Sequence, residues 1–423
     1  MRIIHFTIKR LFNNFDYDFR INGNQSIFIL TGPNGYGKTT ILNIIKKLSE
    51  KDLPYFYELP FSEISIEFDN DNSISVISND VDGENDIEDI ELIKDRRLSI
   101  VWKQKGETIS SMEFNGPTLR DVKNEINRYS YHRFTQPSVF DHIAEKQDAG
   151  QLSLFLSGGL SVCMLPSSRL SSVGFDEEQG LQITIPTIKE ISGKLKHLLS
   201  NYYLEYLKTV NNSNSSIFDK LLQTQTVISE DEYNEISSRL SQELEQLHEW
   251  GLSTEKSIRP YSQEHKDILT VYIHELENNL NVYQELYSKL LLFRDVLNSK
   301  RFTNKTILFS PTEGLIARGK DGSKIDLSNL SSGEQHEIIM LYRSIFEVGN
   351  NSILLIDEPE NSLHVAWQLD YLREMESVAK SIGIQVIIAT HSPQIIGERW
   401  DECYDLYEAV DHGEFDRGGT SER

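Results

Sequence analysis

The chain has 423 residues, enough for one large domain with an insertion or for two domains. Its 38% hydrophobic and 10% aromatic content excludes a disordered chain. A formal charge of −23, from 65 acidic and 42 basic residues, repels nucleic acid at long range, so any DNA contact needs a local basic patch.

The N-terminus, Met1-Arg2-Ile3-Ile4-His5-Phe6, lacks the apolar core of a signal peptide. Residues 1–30 alternate in short runs and end in Ile27-Phe28-Ile29-Leu30, which reads as a buried strand. Next comes Gly32-Pro33-Asn34-Gly35-Tyr36-Gly37-Lys38-Thr39-Thr40, a full match to GxxxxGKS/T. Its glycines let the backbone wrap phosphates with N–H groups pointing inward. Ile41, Leu42, Ile44, Ile45 and Leu48 then keep helical spacing, and that helix adds its positive end. Asn34, Gly35, Gly37, Lys38, Thr39 and Thr40 are therefore the expected ATP-binding residues. Lys38 is expected on the β- and γ-phosphates and Thr39 on Mg²⁺.

Residues 60–115 read as short strands between turns. Asp80, Asp82, Glu84, Asp86, Glu88, Asp89 and Glu91 crowd one segment, the pattern of a solvated loop. The most apolar stretch, Leu152 to Leu165, is too short to span a bilayer and is cut by Ser157-Gly158-Gly159. Leu160 to Leu165 reads as a strand leaving into Pro166-Ser167-Ser168-Arg169. Cys163 and Cys403 are far apart, which suits a reducing cytosol and gives no disulfide framework or zinc site. A soluble cytoplasmic protein with no membrane partner is expected.

Between 186 and 300 the pattern turns helical. Tyr233, Ile236, Leu240, Leu244 and Leu247 recur at three and four, as do Ile268, Tyr272, Leu276, Leu280, Tyr283 and Leu290. A break from Gly251 to Pro260 lets one stretch fold back on the other, so a short antiparallel, coiled-coil-like arm is expected. From 306 strands and helices alternate again. Ile353–Ile356 and Ile384–Ala389 are continuous apolar runs, as in strands covered on both faces. The expected fold is α/β, with lobes at 1–185 and 301–410, a helical insertion at 186–300 and a polar, mobile tail at 411–423.

Three more segments carry chemistry. Asp357 and Glu358 end the first of these apolar runs. Asp357 is expected to hold Mg²⁺ through water, and Glu358 to polarise the water that attacks the γ-phosphate. Leu330-Ser331-Ser332-Gly333-Glu334-Gln335 precedes a helix from His336 to Val348. Ser331 and Glu334 have capping-box spacing, which helix initiation alone would explain. The same geometry also aims a hydroxyl and the Gly333 N–H at an anion. Thr390-His391-Ser392 closes the second run, and His391 is expected to contact the γ-phosphate or the attacking water.

These elements, in this order, resemble the ABC ATPases, and most of all their SMC, RecF and overcoming-lysogenisation-defect branch. The likeness covers about 1–60 and 325–400. Asp357-Glu358-Pro359-Glu360-Asn361-Ser362-Leu363-His364 matches that branch's DEPExxLH form of Walker B and D-loop. Ser332, Glu334 and His364 depart from the transporter pattern in the branch's direction. The Q-loop glutamine is left between Gln104, Gln136 and Gln151. The resemblance implies a P-loop ABC-type head in which Ser331 and Gly333 reach the γ-phosphate held by a second copy, so ATP holds a homodimer or higher homo-oligomer.

OLD nucleases carry a Toprim nuclease domain after the segment matching Thr390-His391-Ser392. None is expected here. A stand-alone ATPase of this type looks like the ATPase subunits of two-component anti-phage systems of the PARIS and Septu kinds. That implies an ATP-hydrolysing sensor and scaffold with a separate nuclease effector, triggered by a nucleic acid or a phage protein. The competing reading is a DNA-repair or recombination ATPase. It needs a basic strip, for which Lys94-Asp95-Arg96-Arg97, Lys103–Lys105 and Lys194-Leu195-Lys196 are the candidates. A transporter motor is disfavoured by the long insertion.

Overall fold

The structure is a computed structural model. It describes residues 1–79 except 24, 97–115, 160–165, 171–176, 181–299 except 224–226, and 302–415 except 303, 362 and 364. The acidic run at 80–91, Lys94 to Arg96, Gln136, Gln151, His364 and the tail beyond 415 lie outside the described residues. The chain divides into two compact units, Met1–Ser167 with Glu347–Arg423, and Ser168–Phe346. The expected lobes and insertion, bounded at 185/186 and 300/301, divide the chain by sequence pattern, whereas these units divide it by packing. The strands Lys305–Ser310, Gly314–Gly319 and Lys324–Ile325 fall in the unit that holds the helices.

The first unit contains a five-stranded parallel sheet in the order Cys403–Asp405, Ile27–Thr31, Gln385–Ala389, Ile353–Asp357, Val162–Leu165. The three central strands, with sequences IFILT, QVIIA and ILLID, are buried at every position. Strands covered on both faces need apolar side chains on both, hence the unbroken runs. Alternate residues leave opposite faces. Phe28, Leu30, Ile353, Leu355, Ile387 and Ala389 share one core with the helix Lys38–Glu50. The helix Val365–Ile382 packs on the strands Ile27–Thr31 and Gln385–Ala389.

That core also takes in a six-stranded antiparallel sheet built from Ile3–Leu11, Phe15–Arg20, Glu63–Phe68, Asn72–Asn79, Arg97–Gln104 and Glu107–Asn115. Here the alternation is half-buried, as Ile64, Ile66 and Phe68 inward against an exposed Glu67 show. Gln104 ends its strand opposite Asn72.

The second unit holds the helices Thr187–Gln223, Glu230–Glu249, Lys266–Leu280 and Gln284–Ser299, together with the antiparallel strands Lys305–Ser310, Gly314–Gly319 and Lys324–Ile325. Tyr233, Leu240, Leu244 and Leu247 are buried, as their spacing predicts. The expected break falls between Glu249 and Lys266, where Gly251 takes a φ of 73°. A second break was not read from sequence: a 3₁₀ turn at Asn281–Tyr283 separates the last two helices. Ile268 is 56% exposed, so the buried stripe of its helix runs through Leu269, Ile273, Leu276 and Leu280 instead.

Candidate functional site

The site gathers at the C-terminal ends of the three central parallel strands. Thr31 leads into the Gly-rich loop, Asp357 ends its strand, and Ala389 is followed by Thr390 and His391. In-register parallel strands bring these three ends side by side, where open α/β sheets bind ligands.

Gly32, Gly35 and Gly37 all have positive φ, at 138°, 92° and 89°. Gly37 is doubly constrained, because a Cβ there would stand 3.0 Å from Leu11 Cδ2 as well as in a left-handed backbone. Asn34 and Gly35 form the exposed turn. The helix Lys38–Glu50 has no side-chain N-cap, which leaves its first-turn N–H groups for an anion. The loop is braced from outside: the Tyr17 hydroxyl donates to the Tyr36 carbonyl at 2.7 Å, and the Tyr36 ring packs edge-on to Tyr407.

Lys38 is 5% exposed, and its ammonium donates to the carbonyls of Gly32 and Pro33 at 2.7 and 3.2 Å. Thr40 is half-buried in the same first turn. The Thr39 hydroxyl donates to Asp357 Oδ2 at 2.9 Å, joining the Gly-rich loop to the Ile353–Asp357 strand end. Burial pushes the Asp357 carboxyl above the usual carboxylate range. The Glu358 charge adds to this and the Thr39 hydrogen bond opposes it.

A buried carboxylate beside a hydroxyl fits Mg²⁺, which takes oxygen ligands and would relieve that penalty. Among the described residues no group of three or more His, Cys, Asp or Glu side chains could hold a metal ion. A cation at Thr39 and Asp357 would therefore draw the rest of its shell from water and phosphate oxygens.

Glu358 has a φ of 45°, rare for a residue with a Cβ, and its N–H donates to the Ala389 carbonyl at 2.9 Å. Its Oε2 accepts from Asn361 Nδ2 at 2.8 Å, and its Oε1 lies 3.8 Å from His391 Nδ1. His391 Nδ1 is closer still, at 3.0 Å, to Glu360.

Ser331 and Gly333 belong to the second unit. The capping box read from sequence is present: Ser331 Oγ accepts from the Glu334 N–H, and the Ser331 N–H donates to Glu334 Oε2 at 2.8 Å. Sequence gave no sign of Lys305, whose ammonium donates to both Glu334 oxygens at 2.8 Å. Burial alone would raise the Glu334 carboxyl, but Lys305 and Ser331 together outweigh it and hold the carboxyl below its ordinary value. Ser331 and Ser332 stay exposed, but the Ser331 hydroxyl, like its N–H, donates to Glu334 Oε2, at 3.0 Å, rather than standing free for an anion. The helix runs over Ser332–Tyr342 and continues as a π-turn, Arg343–Glu347.

The sequence profile of the AAA ATPase domain family AAA_15 matches residues 1–396. The chain belongs to this family. A curated relative of the AAA_15 chain, the "Retron Ec83 probable ATPase" of Escherichia coli, is 27% identical over 147 residues, which cover 31% of this chain and only 26% of that protein. Among solved structures, the Smc head domain of Pyrococcus furiosus, bound to the C-terminal domain of ScpA, aligns over 98% of this chain and 99% of that one, at 12% identity and a TM-score of 0.35. The SMC head domain of Thermotoga maritima aligns over 95% and 92%, at 12% identity and 0.32. At such scores the two heads carry no argument about function. Among the described residues of this AAA_15 chain, no helix is long and apolar enough to cross a membrane.

Proposed function

We propose that this AAA_15 ATPase binds ATP on its Gly-rich loop and hydrolyses it to ADP and phosphate between two head-to-tail copies. The ATP-held dimer then serves as sensor and scaffold of an anti-phage defence system, controlling a separate nuclease effector in response to a nucleic acid or phage protein. The observation that carries the ATPase reading is the Thr39–Asp357 hydrogen bond, with Glu358 and His391 at the neighbouring strand ends.

Lys38 and the first-turn N–H groups take the β- and γ-phosphates. Glu358 orients the attacking water and accepts its proton, and His391 contacts the γ-phosphate from the adjacent strand. Thr39 and Asp357 would hold Mg²⁺, which would neutralise phosphate charge. One loop surrounds only one side of a triphosphate, and the charge on the leaving γ-phosphoryl needs donors around it. The Ser331–Gly333 N-terminus of a second copy, with Ser331 and Ser332 exposed and Gly333 half-buried, supplies them, and a cyclic two-fold makes both sites equivalent.

The likeness to a retron ATPase supports the defence reading. So does the charge of −23, which makes duplex DNA a poor primary ligand. Lys194 in one candidate basic strip is already paired with Glu190 at 3.1 Å. The test is the ATPase rate per chain measured across a dilution series. It is expected to rise steeply with chain concentration and then level off as dimers saturate. A rate per chain that stays constant on dilution, with the protein monomeric throughout, would refute the two-copy site.

A further inference from the structure

The turn carrying His391 is fastened at every residue. The Thr390 N–H donates to the Leu30 carbonyl at 3.0 Å, while its hydroxyl donates to both Glu360 oxygens at 2.9 Å. The His391 N–H donates to Glu360 Oε1 at 2.8 Å, and the ring Nδ1 lies 3.0 Å from the same oxygen. The Ser392 hydroxyl donates to Gln368 Oε1 at 2.7 Å. The Glu360 side chain is 7% exposed whereas the His391 side chain is 47% exposed. A buried carboxylate thus spends its acceptor capacity on one neighbouring turn, in the 3₁₀ segment Pro359–Asn361 directly after Glu358.

This arrangement is more than a way of satisfying a buried charge. Thr390 alone could have been capped by a hydroxyl or an amide. A carboxylate only accepts hydrogen bonds, so Glu360 favours a proton on His391 Nδ1 and leaves Nε2 to face a ligand: as an acceptor towards the attacking water, or, when it too carries a proton, as a donor to a phosphate oxygen. The same short segment also holds the Glu358 side chain, since Asn361 Nδ2 donates to Glu358 Oε2 at 2.8 Å. Both groups expected at the γ-phosphate are therefore registered on one stretch of chain.

We infer that Glu360 is a positioning residue for hydrolysis: it clamps the Thr390–His391 turn and fixes where the His391 ring stands relative to Glu358. This rests on the role given to His391 in the proposed ATPase reaction. The clamp is expected to act on turnover more than on nucleotide binding, because the hydrogen bonds that the Glu360 carboxylate accepts come from Thr390 and His391 and not from the Gly-rich loop.

The test compares Glu360→Ala, Glu360→Gln, His391→Ala and the Glu360→Ala/His391→Ala double variant for ATP affinity, kcat and melting temperature. Glu360→Ala is expected to lower kcat by about tenfold or more with ATP affinity within about twofold of wild type. Glu360→Gln, which keeps the shape and one accepting oxygen, is expected to fall between the two. The double variant is expected to be no slower than His391→Ala, since the clamp acts through that ring. If Glu360→Ala melts early, the Gln variant, isosteric and folded, decides.

Wild-type kcat in both Glu360 variants alongside a slow His391→Ala overturns the clamp while sparing the ATPase reading. So does a double variant slowed by the full product of the single effects. Wild-type turnover in His391→Ala removes the role of His391 itself, and the clamp with it.

Discussion

Lys38→Ala is expected to lose ATP binding, its affinity falling by about 100-fold, or roughly 3 kcal/mol. Lys38 is 5% exposed, and its ammonium rests on the carbonyls of Gly32 and Pro33. Those are weak partners for a full charge, and a triphosphate is a far better one. Charge-assisted hydrogen bonds contribute about 1.5–3 kcal/mol each, and alanine removes all those the ammonium makes. The fold is expected to survive with a modest loss of stability: alanine is the best helix former and Pro33 is open to water, while the buried Gly32 carbonyl loses this donor. Titration calorimetry with ATP and Mg²⁺ measures the loss. Undiminished affinity would remove Lys38 from its assigned role.

Glu358→Gln is expected to behave in the opposite way, keeping ATP while turnover falls by about 10²- to 10⁴-fold. Glutamine preserves the shape and can still accept from Asn361, which now bonds Glu358 Oε2 at 2.8 Å. It cannot take a proton from the attacking water. The left-handed backbone at Glu358, φ 45°, is tied to Ala389 and is not altered by the exchange. With hydrolysis blocked, the ATP-bound dimer should accumulate, and light scattering of this variant with ATP and Mg²⁺ is expected to report a dimer. A monomer under those conditions counts against the shared site.

The sequence made parts of this legible for identifiable reasons. A strand buried on both faces must be apolar throughout, so Ile27–Thr31, Ile353–Asp357 and Gln385–Ala389 stand out in any reading. The Gly-rich loop stands out because its backbone demands glycines at fixed offsets, and the capping box because it is local in sequence. What stayed hidden depends on contacts between distant residues. Lys305 meets Glu334 across 29 positions, and no local pattern announces it.

Glu360 was inside the quoted motif, yet its partners Thr390 and His391 lie 30 and 31 residues further on, so only the adjacency of two parallel strands reveals the clamp. Ile268 shows the limit of periodicity. It stands three steps of four residues before Leu280, and such steps drift about 120° around a helix of 3.6 residues per turn, so Ile268 leaves the stripe that Leu269, Ile273, Leu276 and Leu280 bury.

Mixing two disabled variants tests the central claim most directly. Lys38→Ala lacks the phosphate ligand. Gly333→Asp places a carboxylate in the first turn of the helix Ser332–Tyr342, where it suits the helix but repels a γ-phosphate. Each variant alone is expected to be inactive. Mixed in equal amounts, head-to-tail dimers should include hybrids in which one copy's intact loop faces the other's intact Gly333, restoring up to about a quarter of the wild-type rate. A mixture as inactive as either variant by itself would contradict an ATP site shared between two copies.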